Sequence, residues 1–124
     1  MGAYLLVGLG GALGSMLRYG VSGLFSSESF PVGTLMVNVA GSFIIGLFAG
    51  WMEGGMGFFS QMDFKLFFVI GVLGGFTTFS SFSLQTLNLF EKGFWLYGFA
   101  NIIISVTACL VLAAIGLKLG GRLA

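Results

Sequence analysis

Charged side chains are scarce in this sequence: Lys and Arg number five and Asp and Glu four, which is 7% of the 124 residues. Soluble domains carry roughly a quarter charged residues. With a hydrophobic fraction of 57%, the chain has too few charges to coat the surface of a soluble enzyme, and an integral membrane protein is expected. The net charge of +1 gives no reason to expect a nucleic-acid partner.

Histidine is absent, and Cys109 and Pro31 are the only residues of their types. These counts exclude an intrachain disulfide, a histidine proton relay and the Cys/His clusters that bind zinc. Pro31 directly precedes Val32, which is typical of the first turn of a helix.

Long stretches of the chain lack any charge. Residues 29–52, 66–90 and 93–117 have no charged side chain, and residues 3–25 have only Arg18, near the end of the stretch. Each stretch can supply the ~20 residues that cross a membrane. No basic residue precedes the first stretch, so we interpret it as a permanent helix rather than a signal peptide. We predict an all-α membrane protein, a single four-helix subunit over residues 1–124, with connections at 53–65 and at Glu91 and Lys92.

Glycine is abundant, with 22 residues, and GxxxG spacing occurs at Gly10/Gly14, Gly46/Gly50, Gly71/Gly75 and Gly116/Gly120. This spacing lets membrane helices approach closely. In a chain so rich in glycine, however, a few such pairs arise by chance. The composition therefore predicts close helix packing, whereas the spacing alone predicts no register.

Polar side chains recur at helical spacing in two of the apolar stretches. Asn38 and Ser42 lie four residues apart, and Asn101, Ser105 and Cys109 repeat that interval. Residues at i and i+4 share a helix face, so each set forms a polar stripe. A structural interpretation stays open for each, because Asn often binds a neighbouring helix and Ser or Thr often bonds its own backbone.

The third apolar stretch is poorly suited to a continuous helix. A glycine pair at 74–75 is followed by six hydroxyl residues between Thr77 and Thr86, interleaved with Phe79 and Phe82. Such residues have low helix propensity, so we predict a break near the centre of this helix. Open backbone in a membrane offers carbonyls to a cation and amides to an anion. Taken without their setting, the two Phe residues would be interpreted as core packing.

Carboxylates are absent from the predicted spans. Proton-coupled transporters generally keep a carboxylate or a histidine in the membrane, so a small four-helix multidrug-type exporter is the less favoured alternative. A structural membrane protein without transport activity is a third hypothesis. Neutral donors, ring edges and backbone carbonyls suit a pore for a small ion.

Three segments resemble the CrcB/Fluc family of fluoride channels: GGALGSMLRY (residues 10–19), GTLMVNVAGSF (33–43) and GGFTTFSSFS (74–83). The resemblance spans all four helices. It implies a bacterial inner-membrane channel, not an enzyme, that lowers cytoplasmic fluoride by passive export. It also implies a dual-topology antiparallel homodimer in the lipid bilayer, with two pores and a structural sodium ion (Na+) at the dimer interface.

The resemblance also implies roles for individual residues. Backbone carbonyls of Gly74 and Thr77 are expected to bind the sodium ion. The side chains expected to line the fluoride pore are the amide of Asn38, the ring edges of the two Phe residues, and a polar track on the last helix: Asn38, Phe79, Phe82, Asn101 and Ser105. Arg18 matches the arginine that this family has in its first helix. A structural role and an electrostatic role at a pore mouth are both open for it.

Basic residues are nearly balanced between the two ends of the predicted bundle. One end has Lys65, Lys118 and Arg122, and the other has Arg18 and Lys92. A difference of one basic residue is too small to fix orientation by the positive-inside rule. The sequence therefore predicts insertion in both orientations.

Overall fold

The computed structural model describes residues 1–25, 27, 29–54 and 62–124. Helix α1 is Gly2–Leu24 and helix α2 is Val32–Glu53. Most of the connection predicted at 53–65 falls on residues 55–61, which lie outside the described residues. Before this connection α2 continues through Glu53, and after it helix resumes at Met62. The connection is therefore shorter than the predicted 53–65.

The third span consists of two helices. Helix α3, residues 62–76, comprises Met62–Phe64, the π-helical Lys65–Leu73 and Gly74–Phe76. Helix α4 is Phe79–Glu91. Helix α5, Trp95–Leu123, completes the fold.

The described helices confirm the predicted class of an all-α membrane protein. Within the described part of the chain, four spans are long and apolar enough to cross a membrane: Gly2–Leu24, Val32–Glu53, Met62–Glu91 and Trp95–Leu123. Each can bridge a hydrocarbon core about 30 Å thick.

Glycine pairs set the closest helix contacts, α2 against α5 and α1 against α3. A Cβ on Gly46 would collide with the Ala113 carbonyl oxygen, and one on Gly116 with that of Phe43. A Cβ on Gly75 would stand 2.5 Å from the Gly11 carbonyl oxygen. Residues of all four GxxxG pairs make such backbone contacts, so the spacing that we treated as uninformative does mark the register of both helix pairs.

A tight turn joins α4 to α5 and makes them an antiparallel hairpin. Gly93 has φ +79°, a conformation that side-chain-bearing residues seldom adopt. Its N–H donates to the Phe90 carbonyl over 3.0 Å, and the Phe94 N–H donates to the Leu89 carbonyl over 2.8 Å. This pair of bonds is a Schellman motif, which satisfies the last carbonyls of α4. The expected turn at Glu91 and Lys92 thus extends to Phe94.

Candidate functional site

Thr77 and Thr78 separate α3 from α4. Thr77 has φ −79° and ψ 155°, and Thr78 has φ −151° and ψ 114°, both extended. Thr78 caps α4, because its Oγ1 accepts a hydrogen bond of 3.2 Å from the Ser81 N–H. Gly74 keeps helical dihedrals, since the Thr77 N–H and hydroxyl both donate to the Leu73 carbonyl and close the last turn of α3.

Asn38 on α2 binds the backbone of Thr78 from both sides. Its Oδ1 accepts from the Thr78 N–H over 2.7 Å, and its Nδ2 donates to the Thr78 carbonyl over 2.9 Å. Backbone groups left unpaired at membrane depth are costly, and Asn38 satisfies this N–H and this carbonyl. In a continuous helix the Thr78 N–H would bond the Gly74 carbonyl, so this arrangement removes the usual partner of that carbonyl.

Arg18 reaches the same region from α1. Its Nη1 lies 3.5 Å from the Thr77 carbonyl oxygen, at the outer limit of a hydrogen bond. The side chain is half-buried. The guanidinium therefore places a positive charge next to the extended residues.

Phe79 and Phe82 occupy the first turn of α4. Their ring centroids are 5.2 Å apart with an interplanar angle of 47°. Phe79 is 75% exposed, whereas Phe82 is 8% exposed. The two rings are thus adjacent, but Phe82 is packed into the fold and Phe79 projects from it.

Asn101 lies inside the hairpin of α4 and α5. It is 1% exposed. Its Nδ2 donates to Thr86 Oγ1 over 2.8 Å, and its Oδ1 accepts from Ser105 Oγ over 3.2 Å. Asn101 therefore binds the neighbouring helix, which is the structural alternative for such a residue, while Ser105 lies between it and the groove described next.

An open groove of about 580 Å³ runs between α2, α3, α4 and α5. It brings together most of the residues singled out from the sequence, including Asn38, Gly74, Thr77, Phe79, Phe82 and Ser105. Asn101 is not part of its lining. The other lining residues include Ser42 and Cys109, which end the two polar stripes: Gly41, Ser42, Ile45, Val69, Ile70, Leu73, Thr78, Val106, Cys109 and Leu110.

Thr86 is a polar residue of this region that is not among the site residues predicted from the sequence. It is 5% exposed, and its Oγ1 donates to the Phe82 carbonyl over 2.7 Å. The signal lies in the hairpin: counted from its turn at Gly93 and Phe94, Thr86 and Asn101 are equally distant along α4 and α5. Two polar residues in such register on an antiparallel pair are expected to meet.

Comparison with known proteins gives a consistent assignment. A family model described as CrcB-like protein, Camphor Resistance (CrcB), matches residues 5–117. A protein of Rhodospirillum rubrum named Fluoride-specific ion channel FluC is 50% identical over 111 residues, covering 87% of this chain and 86% of that protein. Its namesake in Opitutus terrae is 50% identical over 129 residues, with coverages of 95% and 96%. Another, in Paramagnetospirillum magneticum, is 47% identical over 116 residues, with 91% of each chain covered. With the match extending over most of its length, the chain belongs to the CrcB family.

Proposed function

We propose that the protein is a fluoride-selective channel that lowers cytoplasmic fluoride by passive export across the bacterial inner membrane. The observation that carries the proposal is the groove, where two Phe rings lie beside neutral hydrogen-bonding groups at an interruption of a membrane helix. The relatives described above are named fluoride-specific ion channels. Their name supports a channel and not the proton-coupled exporter that we kept as the alternative.

The chemistry of the groove fits a small anion. Its described lining residues include no Asp, Glu, Lys or Arg. Fluoride is small and strongly hydrated, so a pore must replace its water with hydrogen-bond donors. In the groove lining, Asn38 has a second amide N–H besides the one that bonds the Thr78 carbonyl, and Ser42 has a hydroxyl. The positive edges of Phe79 and Phe82 add a weaker electrostatic contact. Arg18, beside Thr77, attracts an anion toward this end of the groove.

We propose that a second copy of the chain, in antiparallel orientation, covers the groove. Polar side chains and extended backbone at membrane depth do not face lipid tails, because lipid offers them no hydrogen bonds. Thr77 and Ser105 line an open groove in the single subunit. A partner subunit would enclose these groups and complete one pore on each side of a two-fold axis.

We also propose that carbonyls of Gly74 and Thr77 hold Na+ at this interface. Both residues line the groove, and the usual helical partner of the Gly74 carbonyl binds Asn38 instead. The Thr77 oxygen has two lone pairs, of which the long Arg18 contact takes one. Neutral oxygens suit a monovalent cation, whereas calcium takes 6–8 oxygens and usually formal negative charge. Bound sodium would supply a fixed positive charge near the pore. An electron-density map of the dimer with no ion on the two-fold axis would contradict this assignment.

Fluoride efflux from liposomes tests the channel function. Purified protein is reconstituted into liposomes loaded with fluoride or with chloride, with a potassium ionophore to dissipate the membrane potential and no proton gradient. We expect rapid fluoride release, little chloride release, and neither from protein-free liposomes. Fluoride release that requires a proton gradient would favour an exporter, and its absence under both conditions would favour a structural protein.

The Asn38→Asp variant ties that flux to the groove. Asp retains the acceptor for the Thr78 N–H but replaces the amide donor with a negative charge that faces the anion. We expect fluoride release to fall at least about tenfold, because the charge repels the permeating ion. Ser83→Ala is the matched control, since it removes an exposed hydroxyl that bonds the Phe79 carbonyl outside the groove lining.

A further inference from the structure

Three consecutive hydrogen bonds connect the groove with the buried contact between α4 and α5. Ser105 Oγ donates to Asn101 Oδ1 over 3.2 Å, and Asn101 Nδ2 donates to Thr86 Oγ1 over 2.8 Å. Thr86 Oγ1 in turn donates to the Phe82 carbonyl over 2.7 Å. Of the three side chains in this network, only that of Ser105 belongs to the groove lining.

The inner end of the network fixes the direction of every bond. A backbone carbonyl can only accept, so Thr86 donates its single hydroxyl proton to Phe82. The Thr86 oxygen is then an acceptor, and the NH₂ group of Asn101 turns toward it. The Asn101 carbonyl oxygen consequently faces Ser105, which directs its own proton to that oxygen and away from the groove.

We propose that Thr86 and Asn101 are positioning residues that control whether the Ser105 hydroxyl donates into the pore, an inference that rests on the proposed function. In the arrangement observed, Ser105 presents oxygen lone pairs to the groove, which repel an anion. An anion can accept a hydrogen bond from Ser105 only if the Ser105 hydroxyl rotates toward it and gives up its bond to Asn101. Fluoride accepts hydrogen bonds more strongly than chloride does, so the network favours fluoride over chloride.

Thr86→Val tests the proposal, because Val has nearly the shape of Thr but no hydroxyl. Without it, Asn101 is free to turn its NH₂ toward Ser105, and the Ser105 proton then points into the groove at rest. We expect the fluoride-to-chloride permeability ratio to fall about tenfold, the factor that corresponds to roughly one hydrogen bond, mainly through greater chloride flux. Thr86→Ser restores the hydroxyl and is expected to restore the ratio.

A second variant and a double-mutant cycle separate positioning from general damage. Asn101→Leu removes the acceptor that holds the Ser105 proton while Thr86 still bonds the Phe82 carbonyl, so the ratio is expected to fall here too. In a Ser105→Ala background neither Thr86→Val nor Asn101→Leu is expected to change the ratio further, since the hydroxyl through which they act is gone.

The outcomes are distinct. Wild-type liposomes that release no fluoride would refute the proposed function itself. If wild type conducts but folded Thr86→Val and Asn101→Leu keep the wild-type ratio, the positioning role is wrong. It is equally wrong if either substitution lowers the ratio as much in the Ser105→Ala background. For Asn101→Leu that result would instead make Asn101 a direct contributor to anion selection.

Discussion

At the scale of single residues, Phe79 and Phe82 share a helix turn but not an environment. Phe79 is 75% exposed and Phe82 is 8% exposed, although their ring centroids are only 5.2 Å apart. If both ring edges contact fluoride in the proposed dimer, both residues contribute to conduction. Only the buried Phe82 ring is also expected to contribute much to the stability of the single subunit. The same substitution at both positions therefore distinguishes pore function from packing.

Ile at either position keeps apolar bulk and removes the ring quadrupole. We expect both Phe79→Ile and Phe82→Ile to lose most of their fluoride flux in liposomes. Phe82→Ile is also expected to lower the free energy of unfolding by ~1–2 kcal/mol, because a buried ring is replaced by a smaller side chain of another shape. In the separate subunit, Phe79→Ile is expected to change it by less than ~0.5 kcal/mol, because the Phe79 ring projects from the fold.

Phe99→Ile is the control for this pair. Phe99 is 54% exposed, lies outside the groove lining and packs on Phe90 at 5.2 Å. Its substitution is expected to leave fluoride flux unchanged. If the folded Phe79→Ile and Phe82→Ile variants conduct as wild type does, the rings serve packing alone.

At the scale of helices, glycine contacts join α1 to α3 and α2 to α5, and α1 offers a matched comparison. A Cβ on Gly10 would collide with the Phe67 carbonyl oxygen, whereas one on Gly8 would meet nothing within 4 Å. We expect Gly10→Ala to lower the free energy of unfolding by ~1–3 kcal/mol, because the backbones of α1 and α3 must move apart to admit the methyl group. Gly8→Ala is expected to be neutral or slightly stabilising, since Ala has the higher helix propensity.

This difference is measured by heating the detergent-solubilised variants and recording the temperature at which each loses its monodisperse elution peak. Equal stability of Gly10→Ala and Gly8→Ala would show that the contact between α1 and α3 tolerates a methyl group. Gly46→Ala, which faces the Ala113 carbonyl oxygen, extends the same comparison to α2 and α5.

The sequence predicts the four spans well, because charges are excluded from the hydrocarbon and their positions bound each helix. It predicts the rotation of a helix about its axis poorly. Asn101 and Ser105 have the i and i+4 spacing expected of a pore stripe, yet Asn101 is 1% exposed and bonded to Thr86. Spacing shows which residues share a face, whereas packing with the neighbouring helix determines what that face contacts.

Asn38 illustrates the same limit in the opposite sense. An isolated amide in an apolar stretch is compatible with a pore ligand or with a contact between helices. The structure places it in the groove and also on both backbone groups of Thr78. That second role depends on residues 40 positions away, and no local pattern around Asn38 encodes it.

At the scale of the whole molecule, the near balance of basic residues carries the prediction of dual topology. Lys65, Lys118 and Arg122 belong to one end of the bundle, and Arg18 and Lys92 to the other. Because the difference is a single charge, the positive-inside rule leaves both orientations accessible. We expect C-terminal fusions to a cytoplasm-active and to a periplasm-active reporter both to give signal.

Two oppositely biased variants test whether the pore needs both orientations. Gly2→Lys with Leu123→Lys raises the basic residues of the first end to five against two. Leu24→Lys with Ser27→Lys, combined with Lys118→Gln and Arg122→Gln, gives the other end four against one. All six positions are exposed. Each variant is expected to insert in one orientation and, expressed alone, to give no fluoride flux, because antiparallel pairs cannot form. Co-expression is expected to restore flux. Full conduction by one biased variant whose reporters prove a single orientation would show that the antiparallel dimer is wrong.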